Sequence, residues 1–303
     1  MTDRKGVLVM AYGTPKDLDD VEPYYTDIRR GRPPPPELLE ELRERYRAIG
    51  GKSPLLALTK TQAKGIEERV GLPTYVGQKH AAPFIPDAVA DMNENGIEQA
   101  VGIVLAPHYS TMSIGDYARR ANRAAEETGW SGKLDMVDSW HLEPGYINFL
   151  DREVKKALAS LPEPARRDAV VLFTAHSLPE KILQAKDPYP QQLEETARAV
   201  AEKAGLDRWQ VGWQSAGRTD VPWLGPDVLE ILPQLADDNV PGVVVCPCGF
   251  VSDHLEVLYD VDIEAKKAAN DLGIALARTA SPNDDPMFLD ALAAVVRRAL
   301  TNR

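Results

Sequence analysis

The stretch VLVMAYGTP (Val7 to Pro15) returns in altered form as VLFTAHSLP (Val171 to Pro179). Each is an apolar run of strand length followed by Ala, a polar ring residue, a small residue, a spacer and Pro. A short apolar run without alternation fits a strand covered on both faces, as in a parallel sheet. Tyr12 and His176 then hold equivalent places at the ends of the two strands. Two further matches follow in the same order: YVGQKHAAPF (Tyr75 to Phe84) with QVGWQSAG (Gln210 to Gly217), and VLAPHYS (Val104 to Ser110) with VVCPCGF (Val244 to Phe250). Any two βα units look somewhat alike, but three ordered matches point to a duplicated unit.

Outward from these stretches, short apolar runs ending in Gly or Pro alternate with longer amphipathic ones, the pattern of βαβ units. The fold class is therefore α/β. Strands are expected over 6–11, 74–77, 100–106, 134–137, 169–174, 209–213 and 242–246, and helices include 36–49, 59–70, 83–95, 114–128, 143–161, 190–204, 253–272 and 286–300. The repeat predicts two Rossmann-like domains, residues 1–150 and 151–303, with the final helix packing back across their interface. Ligands of such sheets bind beyond the carboxyl ends of the strands, so a shared cleft should run past Tyr12 and His176.

The chain has 303 residues, 44% of them hydrophobic, enough for a sizeable core without disulfides. Two cysteines exclude a disulfide scaffold and a four-cysteine cluster built from this chain alone. A net charge of −11 argues against broad nucleic-acid binding. No apolar run approaches the roughly 20 residues of a membrane span. The amino end, Met1 to Lys5, is polar, with no signal-peptide core. A cytoplasmic protein is expected, without nucleic-acid partners or integral membrane association.

His176 is set directly after a buried strand, and Ser177 and Glu180 have capping-box spacing for a following helix. A rigidly held imidazole with an ordinary pKa near 6.5 can ligate a metal or accept a proton; alone, it can equally well bond a neighbouring loop. In GFVSDHLEVLYDVDIEAKK (Gly249 to Lys267), Glu256, Asp260 and Glu264 are spaced i, i+4, i+8 and would form one acidic stripe on an α-helix. Like charges so arranged repel, and a divalent cation would relieve them. Asp253 and Glu256 also fit a capping box, and acidic residues suit a helix start. His176 facing Glu256 suits Fe²⁺, Zn²⁺, Co²⁺ or Ni²⁺, and two ligands suit delivery better than storage.

In YYTDIRRGRPPPP (Tyr24 to Pro36), Arg29, Arg30 and Arg32 stand among aromatic residues before a stiff proline connector. Arg45, Tyr46 and GGKSPL (Gly50 to Leu55) follow. Guanidiniums in such a cluster can grip the carboxylates or phosphates of a flat anionic ligand, or simply lie on a solvated face. No GxxxxGK[ST] loop is present. Tyr117 can line the cleft or fill the core. Cys246 and Cys248 read as apolar filling, Trp213 and Trp223 as packing near the rim, and His80, His108 and His141 have no evident task.

These motifs, with AYGTP, IRRGR, RYRAIGGKSPL, GQKHAAPFI, TAHSLPEKI and VGWQSAGRTDVPWLGPDV, closely resemble ferrochelatases across nearly the whole chain, most of all the soluble kind of Gram-positive bacteria. The resemblance implies two Rossmann-like domains with parallel four-stranded sheets flanked by helices, the class II chelatase arrangement, around a porphyrin cleft. It implies insertion of Fe²⁺ into coproporphyrin III to give coproheme in haem biosynthesis, protoporphyrin IX being the less expected substrate. His176 and Glu256 fall on the catalytic, metal-handling positions, and Asp260 and Glu264 on a secondary metal path. Tyr12, Arg29, Arg45, Tyr46, Ser53 and Tyr117 fall on porphyrin-side positions.

Fe²⁺ is then a substrate, with no prosthetic group and no [2Fe-2S] cluster, and the product passes to the next haem-pathway enzyme. A tetrapyrrole carrier without turnover is the alternative from another class, and a cobalt or nickel chelatase acting on a sirohydrochlorin-type ring is a third. The acidic stripe favours an enzyme over a carrier.

Overall fold

A computed structural model describes residues 4–301; Met1 to Asp3, at the polar amino end, lie outside the described residues. Among the described residues, eight strands form two parallel four-stranded sheets. The first contains β1 (Lys5–Ala11), β2 (Thr74–Gln78), β3 (Gln99–Val104) and β4 (Lys133–Met136) in the order β2-β1-β3-β4. The second contains β5 (Val170–His176), β6 (Trp209–Gln214), β7 (Gly242–Cys246) and β8 (Ala275–Arg278) in the order β6-β5-β7-β8. The orders are the same, and in each the chain reverses its direction of winding beside the first strand. There the strand ends open a crevice.

Burial follows position in the sheet. The central strands β1, β3, β5 and β7 are buried along almost their whole length, whereas the edge strands β4 and β8 are only partly covered. Continuous valine, leucine and isoleucine runs were therefore legible as strands. Residues 275–278, ALAR, were not, being short, partly exposed and ended by a charge.

The repeat is visible in the register. Met10 pairs with Gly77 and Thr174 with Gly212, as the sequence match requires. The third match is displaced: Val7 pairs with Val101, but Val171 pairs with Val244, where the match would put Pro241. The loop after β7 therefore sits differently over its sheet from the loop after β3.

That loop approaches β5 closely. A Cβ at Gly249 would lie 2.4 Å from Ala175 Cβ, and Gly249 N donates to Thr174 O at 2.9 Å. In the first sheet, Gly13 turns the chain after Tyr12 at φ +100, a conformation that costs glycine little.

One apolar core joins the sheets: Val7, Val101 and Ile103 share a cluster with Val171, Phe173 and Val244. Tyr146, Phe149, Phe288 and Leu292 fill it from the helices Pro144–Ser160 and Pro286–Thr301. The last helix also packs on the helix Leu55–Val70, where Gly65 leaves room for Leu289 and Arg69 pairs with Asp290 at 2.6 Å. Gln62 of the same helix donates to Val251 O, Ser252 Oγ and Asn283 O at 2.8–3.0 Å, tying it to the loops beyond β7 and β8.

The sequence predicts one α-helix over 253–272; the chain instead forms the short helix Leu255–Leu258, a π-helical turn Asp260–Ala265 and the helix Lys266–Asp271. Glu264 N bonds Tyr259 O, five residues back, which widens the turn and breaks the i, i+4, i+8 alignment of the acidic residues. Neither expected capping box forms. Ser177 Oγ donates to Leu224 O, and Asp253 accepts from Ser281 and Asn283 instead of closing a helix start.

Candidate active site

A cleft of about 480 Å³ opens past the carboxyl ends of β1, β3, β5 and β7 and is lined from both sheets. His176, the last residue of β5, stands on its wall. The ring is fixed at one end, because Nδ1 donates to Ser177 O. Nε2 is thereby left pointing to Glu256 Oε1 at 3.5 Å. The two side chains keep 34% and 27% of their surface, so both are reachable from the cleft.

Glu256 occupies the first turn of the helix Leu255–Leu258, and its carbonyl accepts from Gln214 Nε2 at the end of β6. His254 flanks its other oxygen, Nε2 to Oε2 at 3.5 Å, and donates from Nδ1 to Ser252 O. Glu256 thus lies between two imidazoles. Sequence reading missed His254, although its place two residues before Glu256 was a usable signal.

Burial favours a neutral His176, but the Glu256 carboxylate beside it outweighs this and raises the imidazole to about 9. Burial would likewise raise Glu256, yet His176 and then His254 hold it well below the usual carboxylate range. The resting pair is an imidazolium and a carboxylate. Among the described residues no cluster of three or more His, Cys, Asp or Glu side chains is arranged to hold a metal ion. As donors for a metal the pair is open to the cleft but numbers only two groups.

Tyr12, Arg45, Tyr46, Ser53 and Tyr117 also line the cleft. Tyr12, open to the cleft with 41% of its surface exposed, packs on His80 with ring centres 4.6 Å apart, and partial desolvation by the surrounding walls, with Glu256 adding to it, raises its phenol above the ordinary value. The Tyr46 hydroxyl meets Thr14 Oγ1 at 3.2 Å, and burial pushes its pKa up to about 12. Ser53 Oγ accepts from Leu55 N. Tyr117 is buried, with Lys79 Nζ 5.2 Å from its ring centre.

Arg45 is not free. It forms an ion pair with Asp260 and lies over the Tyr259 ring at 4.7 Å, while its Nε is buried without a partner. Asp260 is buried and also accepts from Ser215 Oγ; burial raises its pKa in spite of Arg45. Asp260, Glu264 and Arg29 lie outside the cleft lining. Glu264 is exposed. Arg29 approaches the Tyr25 ring at 5.8 Å, and its Nε too is buried and unpartnered.

Further wall residues escaped sequence reading. Lys79 bridges to Asp116 at 2.7 Å and Arg218 pairs with Glu41 across the cleft; Trp223, read as packing near the rim, does line the cleft, 6.3 Å from His176 ring to ring. Lys79 follows β2 as His176 ends β5, so its position at a strand end was the available clue. Cys246 and Cys248 are buried and free, as their apolar reading implies.

A family model described as Ferrochelatase matches residues 4–300. The coproporphyrin III ferrochelatase of Geobacillus kaustophilus (strain HTA426) is 52% identical over 299 residues, covering 96% of this chain and 94% of that protein. The protein of the same name from Bacillus subtilis (strain 168) is 48% identical over 305 residues, 98% of each. Among solved structures, SirB from Bacillus subtilis with Fe³⁺ superposes with a TM-score of 0.63 at 12% identity, covering 99% of this chain and 96% of that one. That likeness speaks for the fold: two Rossmann-like units of the chelatase kind. With a family model spanning almost every residue and relatives near half identity over their full length, the chain belongs to the ferrochelatase family.

Proposed function

We propose that the protein inserts Fe²⁺ into coproporphyrin III, giving coproheme and releasing two protons. Relatives of that name match it over 94–98% of their own length. The single observation that carries the reaction is the His176–Glu256 pair, 3.5 Å apart on the wall of a cleft, with Tyr12 also on that cleft's lining. The macrocycle enters flat. Tyr46, Ser53 and Tyr117 on the lining hold its propionates, Arg29 reaches toward them from just outside the lining, and Arg45 holds them in exchange for, or together with, its bond to Asp260.

Fe²⁺ capture at Nε2 of His176 requires the imidazole to shed its proton, since only the free lone pair ligates. Glu256 supplies the second oxygen donor and the compensating charge. When the iron passes to the pyrrole nitrogens, His176 and Glu256 are again open and can accept a pyrrole proton, while Tyr12 faces the ring from the other strand end. Asp260 and Glu264, behind Glu256, form the outer acidic positions of a metal route. The setting is the cytoplasm, with no prosthetic group and with transfer of the product to the next haem-pathway enzyme. No helix among the described residues is long and apolar enough to cross a membrane.

Anaerobic mixing of catalytic protein with Fe²⁺ and metal-free coproporphyrin III should give many turnovers, and fewer with protoporphyrin IX. One equivalent bound without turnover would make the protein a carrier. Faster insertion of Co²⁺ or Ni²⁺ into sirohydrochlorin would assign it to the other chelatases.

A further inference from the structure

A second cavity, of about 750 Å³, adjoins the cleft and shares Tyr12, Ile28, Lys79 and Met112 with its lining. Arg30, Lys79, Arg119, Arg120, Arg123 and Lys181 surround it, and Asp116 is the one carboxylate among its lining residues. Asp116 is shared by Lys79, Arg119 and Arg120 at 2.7–3.2 Å. Arg30, Arg123 and Lys181 make no side-chain hydrogen bond or ion pair among the described residues. So strong a positive hollow is unexpected in a chain of net charge −11.

The cleft itself has little positive charge to spare. Arg45 is held by Asp260, Arg218 by Glu41 and Lys79 by Asp116, and Glu256 adds a negative charge. A ring with four carboxylates approaching a chain of net charge −11 finds at the hollow a concentration of unpaired positive charge that the cleft lining does not offer. We propose that this basic vestibule captures the carboxylate arms of the tetrapyrrole and holds them at the mouth before the ring enters the cleft. The proposal rests on the porphyrin substrate assigned above. Oppositely charged, concave surfaces raise association rates by about 10- to 1000-fold, so the vestibule acts on encounter more than on chemistry.

The test is stopped-flow quenching of metal-free coproporphyrin III fluorescence with the native protein and the double variant Arg123→Glu/Lys181→Glu. At low ionic strength the on-rate should fall about tenfold in the variant, and KM should rise by a similar factor with kcat within about twofold. In about 0.5 M salt the two proteins should converge. With protoporphyrin IX, which carries two carboxylates, the loss should shrink to about threefold. Arg123→Gln/Lys181→Gln, milder and exposed, should give an intermediate loss and keeps the test valid if charge reversal disturbs folding. Equal on-rates for native and variant proteins at low salt, or equal losses for both porphyrins, would overturn the vestibule. Failure of the native protein to bind coproporphyrin III at all would instead remove the substrate on which it rests.

Discussion

His176 and Glu256 hold one proton between them, and in the proposed reaction that proton competes with the metal. Because Glu256 raises the imidazole to about 9, the neutral, ligating ring grows tenfold scarcer with each pH unit below that value. Insertion at subsaturating metal should therefore climb between pH 7 and about 9, measured with an air-stable divalent ion such as Zn²⁺. Glu256→Gln removes the charge that raises the ring, so the remaining activity should show a flatter profile shifted toward pH 6.5. His176→Ala should lower insertion by at least 100-fold while fluorescence titration still detects porphyrin binding; lost binding with normal insertion per bound ring would refute the assignment.

Both residues were legible because each has a local signature, a polar ring after a buried strand and an acid near a helix start. The partnership of Arg45 with Asp260 was not legible. Its two ends lie 215 residues apart, and nothing local marks them as neighbours.

Strands and their ends translated well from sequence because apolar continuity is a direct consequence of burial on both faces. Helices translated less well wherever tertiary contacts overrode local pattern. Residues 228–237 form a helix in spite of Pro233, started by the reciprocal bonds of Asp227 and Glu230. The π turn at Asp260–Ala265 has no sequence signature that spacing alone could reveal; Arg45 and Ser215 hold Asp260 inside it from other elements. The loop after β7 is one sensitive piece. Gly249→Ala would drive a methyl group into Ala175, immediately before His176. Overpacking of this kind costs about 2 kcal/mol, and the displaced ring should lower kcat. Thermal unfolding together with insertion kinetics will check both effects, and an unchanged kcat would show that the strand end tolerates the push.

The interior also titrates. Burial lowers His108 to about 3, and burial, outweighing Asp27, lowers His80 to about 4. Both stay neutral in the folded protein, whereas the unfolded chain takes up protons below about 6.5, so stability should decline as pH falls from 6.5 toward 4. His176 has the opposite sign: its contribution is complete below about 6.5 and fades as pH rises through about 9. Melting temperatures at pH 7 and 5 should differ by several degrees, and His108→Gln should reduce the difference. A flat melting temperature over that range would mean that these rings protonate in place.

The apolar cluster that joins both sheets through the helices Pro144–Ser160 and Pro286–Thr301 limits how the molecule can move. Opening the two lobes like a clamshell would have to pull apart apolar contacts that run through both sheets. In the proposed reaction a planar guest then meets jaws that resist widening, and the walls supply the pressure that buckles the ring and exposes its nitrogens.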